Sequence, residues 1–351
     1  MVTIRLTRNV LPLIAVFISI ICIFKMPDSI TQGITDGMTI CFNVILPSLF
    51  PFMIVSAYII KSGALGFLYK LFYPLTRFVL KLPLCTASVI IMGFIGGFPV
   101  GARMTTLLLE SGQITENQAK RLLLFCINGG PAFVITAVGV KMLGSNKAGV
   151  IIFISLCIAS LIIGFISSFF DDKKTTDKRI ENSMQSPLVA LSASVTDGVQ
   201  SILSVCAWVV LFSGITECVK ALSISDNTYW AMVSLLEVTK GCTLLAGKMG
   251  IPVITAAIGF GGFCVHCQVF SYIKESGLKY RYFFVSRVLC AALSGIICHL
   301  LLIIFPVDIT TAVMSDDITI SAFSVSLPAF ISLTIMCIVM IFDIDSKQKV
   351  C

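Results

Sequence analysis

Gly96-Gly97-Phe98-Pro99-Val100, followed by Glu110-Ser111-Gly112, returns 165 positions later as Gly261-Gly262-Phe263-Cys264-Val265 and Glu275-Ser276-Gly277. The spacing inside the two copies is the same. Upstream, Thr35-Asp36-Gly37 returns as Thr196-Asp197-Gly198, 161 positions on, so the duplication covers most of each half. Within a membrane such internal repetition is the mark of transporter-like architecture.

The membrane assignment rests on composition: 57% of the 351 residues are hydrophobic, 12% are charged, and the mean hydropathy is +1.01, far from the soluble norm. A spanning helix takes about 20 mostly apolar residues. Such stretches lie near 9–25, 39–60, 119–140, 148–170, 197–220, 282–305 and 320–342, which predicts an all-α polytopic protein with seven to eight transmembrane helices. Two further apolar regions, 84–110 and 252–275, are broken at their centres by Gly-Gly with Pro or Cys-His and read as re-entrant helical hairpins. The chain therefore divides into an N-terminal helix (1–26), a first repeat (27–170), a charged cytoplasmic linker (171–186), a second repeat (187–343) and a tail (344–351).

Arg5 and Arg8 precede the first span, but no small-residue cleavage site follows in Phe24-Lys25-Met26-Pro27-Asp28, so it reads as a retained span and not as a signal peptide. The 14 cysteines have no framework spacing and behave as small hydrophobes. Leu65, Leu68, Phe72 and Leu75 on one side, with Lys70, Arg77 and Lys81 on another, predict an interfacial helix kinked at Pro74.

Lys and Arg in short loops set orientation. Arg5 and Arg8, then Lys61, Lys70, Arg77 and Lys81, then Lys173, Lys174, Lys178 and Arg179 all fall on the cytoplasmic side of an N-in chain. Three crossings and one hairpin per repeat make the repeats inverted. That arrangement leaves Lys274, Lys279 and Arg281 outside, against the rule. A full crossing by Tyr229 to Lys248 would bring them inside and make the copies parallel.

Chemistry belongs where non-helical backbone is forced to membrane depth, because such backbone is tolerated only where protein buries it or a cavity solvates it. Gly96, Gly97, Pro99 and Gly101 form one break, Gly261 and Gly262 a second. Asn128-Gly129-Gly130-Pro131 forms a third, with Ser294-Gly295 as its expected counterpart. Together they bring free amides, carbonyls and helix-end dipoles towards one midplane point, the expected binding site for a small polar solute. Glu237, in an apolar stretch, is costly enough to be a functional candidate. It would bind a coupling proton or cation, accept hydrogen bonds from solute hydroxyls, or cap locally with Thr239 and Lys240. Arg103 would meet an anionic group or snorkel; its counterpart is Gln268. His266 with Gln268 reads as a hydrogen-bonding pair at the second tip. Cys264-Val265-His266-Cys267 lacks a fourth ligand for zinc, and His299 reads as a packing residue. Asp36 and Asp197 read as carboxylates favouring helix N-termini.

Leu49-Phe50-Pro51-Phe52, Gly96-Gly97-Phe98-Pro99-Val100-Gly101-Ala102, Asn128-Gly129-Gly130-Pro131, Leu236-Glu237-Val238-Thr239-Lys240-Gly241 and Gly261-Gly262-Phe263 with His266 and Gln268 together resemble the sporulation integral membrane proteins of the YlbJ type. These belong to the wider group carrying the nucleoside-recognition or Gate domain. The resemblance runs from about residue 10 to 300. It implies a cell-membrane protein of an endospore-forming bacterium, required for the spore cortex, and a plan similar to concentrative nucleoside transporters.

No nucleophile, base and orienter fall together, and there is no phosphate-binding loop or paired catalytic carboxylates, so no enzyme is expected. The net charge of +7 reflects cytoplasmic loops facing anionic lipid and not nucleic acid. Expected partners are membrane lipid, a small polar solute and cortex-synthesis proteins, with homo-oligomerisation left open. No cofactor is expected beyond a coupling proton or cation. The alternative to a permease is a membrane scaffold that transports nothing.

Overall fold

The computed structural model describes residues 24–62, 72–170, 186–221 and 225–307. The expected first span but for its last two residues, the linker but for its last, and everything from 308 onward lie outside them. The regular structure among the described residues is all helix, without strand. α1 (Pro27–Ile40) and α2 (Leu46–Ser62) join through a widened turn at Cys41–Ile45 into one rod. After residues 72–79 come α3 (Ala87–Gly96), α4 (Phe98–Glu110), α5 (Glu116–Phe125), α6 (Ala132–Met142) and α7 (Asn146–Ser167). The second half holds α8 (Pro187–Ala221), α9 (Asp226–Leu236), α10 (Val238–Leu245), α11 (Ile251–Phe260), α12 (Gly262–Glu275) and α13 (Tyr280–Ile304).

Four described stretches are long and apolar enough to cross a membrane: Asn146–Ser167, Pro187–Ala221, Ile251–Phe270 and Tyr280–Ile304. A fifth forms if residues 72–79 and 84–96, bent by 119°, count as one. Their outward faces are apolar. Ile154 and Ile158 of α7, Leu203 and Leu211 of α8, and Leu289, Ile296 and Ile303 of α13 are all exposed, which is stable only against lipid. The chain is a multi-pass membrane protein.

The α1–α2 rod and α8 pack along their length. Gly33 meets Ser213 and Gly214, Gly37 meets Val210, Cys41 reaches the Cys206 carbonyl, and Gly198 meets Ile54 and Phe50. Ascending residues of one meet descending residues of the other, so the two are antiparallel. Gly37 and Gly198 belong to the repeated Thr-Asp-Gly, and each lets the other half's rod approach where a β-carbon would touch backbone or side chain.

α3 and α4 form a hairpin turned at Gly97. A β-carbon on Gly101 would lie 3.2 Å from the Gly93 Cα and overlap the Cys126 carbonyl. The second hairpin is not at 252–275 as expected. Ile251–Phe270 runs as one apolar span, with a break at Gly261, and beside it α11 and α13 lie antiparallel, Gly259 against Ala291 and Gly295 against Pro252. The reversal occurs instead between α9 and α10, where a β-carbon on Gly241 would lie 2.5 Å from the Ser234 Cα. Its tip is Glu237. The expected break at Ser294-Gly295 is also absent, since α13 is continuous from Tyr280 to Ile304.

The hairpins enter from opposite ends of the bundle. The ends of α2, α4 and α7, the elbow at 80–83, and the starts of α5, α8 and α13 cluster at one end. There Arg121 donates to the Leu80 and Lys81 carbonyls and to Ser167, and Gly277 lies against Lys120. At the other end the Lys248 ammonium sits 4.0 Å over the Trp230 ring and Thr243 reaches the Met142 sulfur, so the open end of the α9–α10 hairpin lies there. Lys274, Lys279 and Arg281 therefore share an end with Lys61 and Lys81. Because Ile251–Phe270 runs on as one apolar stretch long enough to cross and 226–245 turns back, the charge conflict of the sequence reading disappears.

Candidate functional site

Four interruptions meet at one place. A β-carbon on Gly130 would lie 2.8 Å from the Ile95 carbonyl and 3.0 Å from the Gly97 nitrogen, so the α5–α6 break touches the first hairpin tip. One on Gly262 would lie 3.2 Å from both Leu236 O and Val238 N, which joins the α11–α12 break to the second tip. The Phe98 ring ties the pairs together, lying against both Gly129 and Gly261. Gly97 at φ 90° and Gly261 at φ 86° occupy backbone regions that side chains disfavour.

At this meeting point lies a cavity of about 110 Å³. Its wall takes Gly96, Gly97, Phe98 and Pro99 from the first hairpin and Gly130, Ala132 and Phe133 from the broken helix. Glu237, Val238 and Thr239 come from the second tip, and Cys264, Val265 and Gln268 from α12. Ile40, Ile45, Leu49 and Phe52 of the rod and Val205 and Val209 of α8 close it. Apolar walls with a few polar groups are the usual make-up of a small-molecule site.

Glu237 is 2% exposed and caps α10: its Oε1 accepts from the Thr239 amide at 3.0 Å and its Oε2 from the Lys240 amide at 2.6 Å. A carboxylate at a helix N-terminus meets both the dipole and free amides, which offsets the cost of burying it here. Local capping, one of the roles weighed from sequence, is thus realised, and the residue lines the cavity as well. Gln268 donates to the Cys264 sulfur at 3.3 Å.

Of the residues singled out from sequence, Gly96, Gly97, Pro99, Glu237, Thr239 and Gln268 line the cavity. Asn128 supports it from behind, donating to the Phe125 carbonyl at 2.9 Å and accepting from Ser160 at 2.6 Å. Gly129, Gly261 and Gly262 shape the breaks. Arg103 instead pairs with Asp197 at 3.3 Å. His266 sits behind α12, one ring nitrogen 2.9 Å from the Tyr280 hydroxyl and the other 3.2 Å from the Phe260 carbonyl. Ser294 packs against Gly259 and bonds within α13 to the Ala291 carbonyl.

Two groups of charges lie beyond the cavity, one towards each end. Asp197 meets Lys61 at 2.9 Å as well as Arg103, and Lys240 meets Glu217 at 3.1 Å and Asp36 at 3.9 Å. Neither repeated aspartate starts a helix: Asp36 lies deep in α1 and Asp197 in α8. Each binds a cation from the opposite half of the chain.

Arg287 was missed from sequence. Its side chain is fully buried and donates to the carbonyls of Ile127 and Leu124, which the end of α5 leaves without helical partners. Read at the register that pairs Asn128 with Ser294, it matches Arg121 in the first half, which does the same for the elbow at Leu80 and Lys81. An arginine within an apolar stretch beside a helix break was the available signal.

The chain is 24% identical over 323 residues to the sporulation integral membrane protein YlbJ of Bacillus subtilis (strain 168), a match covering 80% of this chain and 79% of that protein. This bears out the YlbJ-type resemblance read from the motifs. No family model and no solved structure matches the chain.

Proposed function

We propose that this protein serves in spore cortex formation as a permease-like membrane protein. It would bind a small polar solute, nucleoside-like or a cortex precursor, at the midplane cavity and transform nothing. The observation that carries the reading is the convergence of four helix interruptions on one cavity with a buried carboxylate in its wall. The relative's description as a sporulation membrane protein supports the setting. The antiparallel packing of the rod with α8, and hairpins entering from opposite ends, support an inverted-repeat architecture of the kind secondary transporters use.

In this reading the charge groups at Asp197 and at Lys240 are alternating closures. With the cavity between them, breaking one while the other holds would open the solute to one side at a time. Each links the two halves of the chain, as a closure between rocking repeats must.

The test is thermal stability in detergent against a panel of nucleosides, amino sugars and peptidoglycan precursors. A solute at 100 times its Kd stabilises by about 2.7 kcal/mol. A shift in the native protein that is lost in Glu237→Gln is the expected result. Silence across the panel with both proteins folded would favour the scaffold reading.

A further inference from the structure

Resting on the solute-binding reading, we infer that the cavity takes neutral or cationic solutes carrying a hydrogen-bond donor and excludes anions, so that phosphate-bearing compounds are not its substrates. Among the described residues the lining holds one acidic side chain, Glu237, and no lysine, arginine or histidine. The described cations nearby are committed elsewhere. Lys240, three residues from Glu237, turns to Glu217 and Asp36. Arg103, one turn beyond Pro99, is held by Asp197. Arg287 donates to the Ile127 and Leu124 carbonyls, and the His266 ring is turned away behind α12, its nitrogens against the Tyr280 hydroxyl and the Phe260 carbonyl. Glu237 itself is balanced only by two backbone amides, and its oxygens keep lone pairs free to accept from a solute hydroxyl or ammonium. The rest of the wall, with Phe52, Phe98 and Phe133, offers apolar faces and π-systems that attract cations and repel anions. A dianion placed here would lose its hydration and meet a carboxylate without a compensating positive charge.

The test reads this field without needing the natural solute. Ala132, which lines the cavity, is replaced by cysteine, and the full-length protein in detergent is treated with two methanethiosulfonates of like size, one ending in trimethylammonium and one in sulfonate. Modification at residue 132 is followed by peptide mass. The ratio of the two rates cancels accessibility and thiol reactivity. The cationic reagent is expected to react roughly tenfold faster or more, beyond the ratio on the denatured chain, from a carboxylate lining the same cavity at reduced dielectric. Adding Glu237→Gln should return the ratio to the denatured value. Equal rates, or faster reaction of the sulfonate, would overturn the inference while leaving a solute-accessible cavity intact. If neither reagent reacts except after denaturation, the cavity admits no solute, and the binding reading falls together with this one.

Discussion

Arg287 does for the α5–α6 break what water does for a surface helix end: it satisfies carbonyls that the interruption leaves without partners. Its guanidinium spans two of them, so Arg287→Ala should lower stability in detergent by roughly 2–5 kcal/mol through unsatisfied buried groups. Arg287→Lys, with the charge but without the fork, should fall between. Unfolding followed by heat or denaturant checks this, and an unchanged midpoint for the alanine variant would refute the capping role. The glycines separate into two kinds on the same physical ground. Gly101→Ala places a β-carbon on the Cys126 carbonyl, and since backbone cannot yield, it should cost roughly 1–3 kcal/mol or more. Gly112→Ala has open space but φ at 67°, and should cost only about 1 kcal/mol.

Among the elements, the rod and α8 carry the strongest geometric claim, because antiparallel pairing in this register brings Cys41 to Cys206. With these two as the only cysteines, a short bifunctional thiol reagent should link them within one chain, read from the joined peptides by mass. A parallel arrangement would place them far apart and yield no link. The charge groups offer a second check. In a double-mutant cycle, Asp36→Asn and Lys240→Gln should show a coupling, for a pair this exposed, of about 1 kcal/mol or less. Strictly additive effects would mean that the contact at 3.9 Å contributes nothing.

For the whole molecule, the expected test is topological. Cysteines placed at Lys120 and Lys279 should both react with a membrane-impermeant reagent from the cytoplasmic side. Those at Lys147 and Lys248 should react only from the other. Labelling of position 279 from the outer side would restore a hairpin at 252–275 and remove the present arrangement of the second half. The prediction follows from Gly277 lying against Lys120 and from Lys248 lying over Trp230.

The membrane class, the duplication, the first hairpin and the break at Asn128 to Pro131 were legible in the sequence. Apolar length dictates burial in lipid, and Gly and Pro are the letters in which helix interruptions are written. The second hairpin was not legible, for its tip is Leu236-Glu237-Val238, without glycine or proline, and reverses on a carboxylate that caps the returning helix. The repeated Gly-Gly-Phe was misleading for the complementary reason. Both glycines adopt positive φ, but Gly97 has ψ −177° and Gly261 ψ −8°, so one copy turns the chain back and the other lets it run on. The residue type permits both conformations at equal cost. Which one forms is decided by what packs around it, Gly130 and Leu49 at the first, the Phe98 ring from the other half at the second, and these contacts exist only once distant parts of the chain are folded against each other.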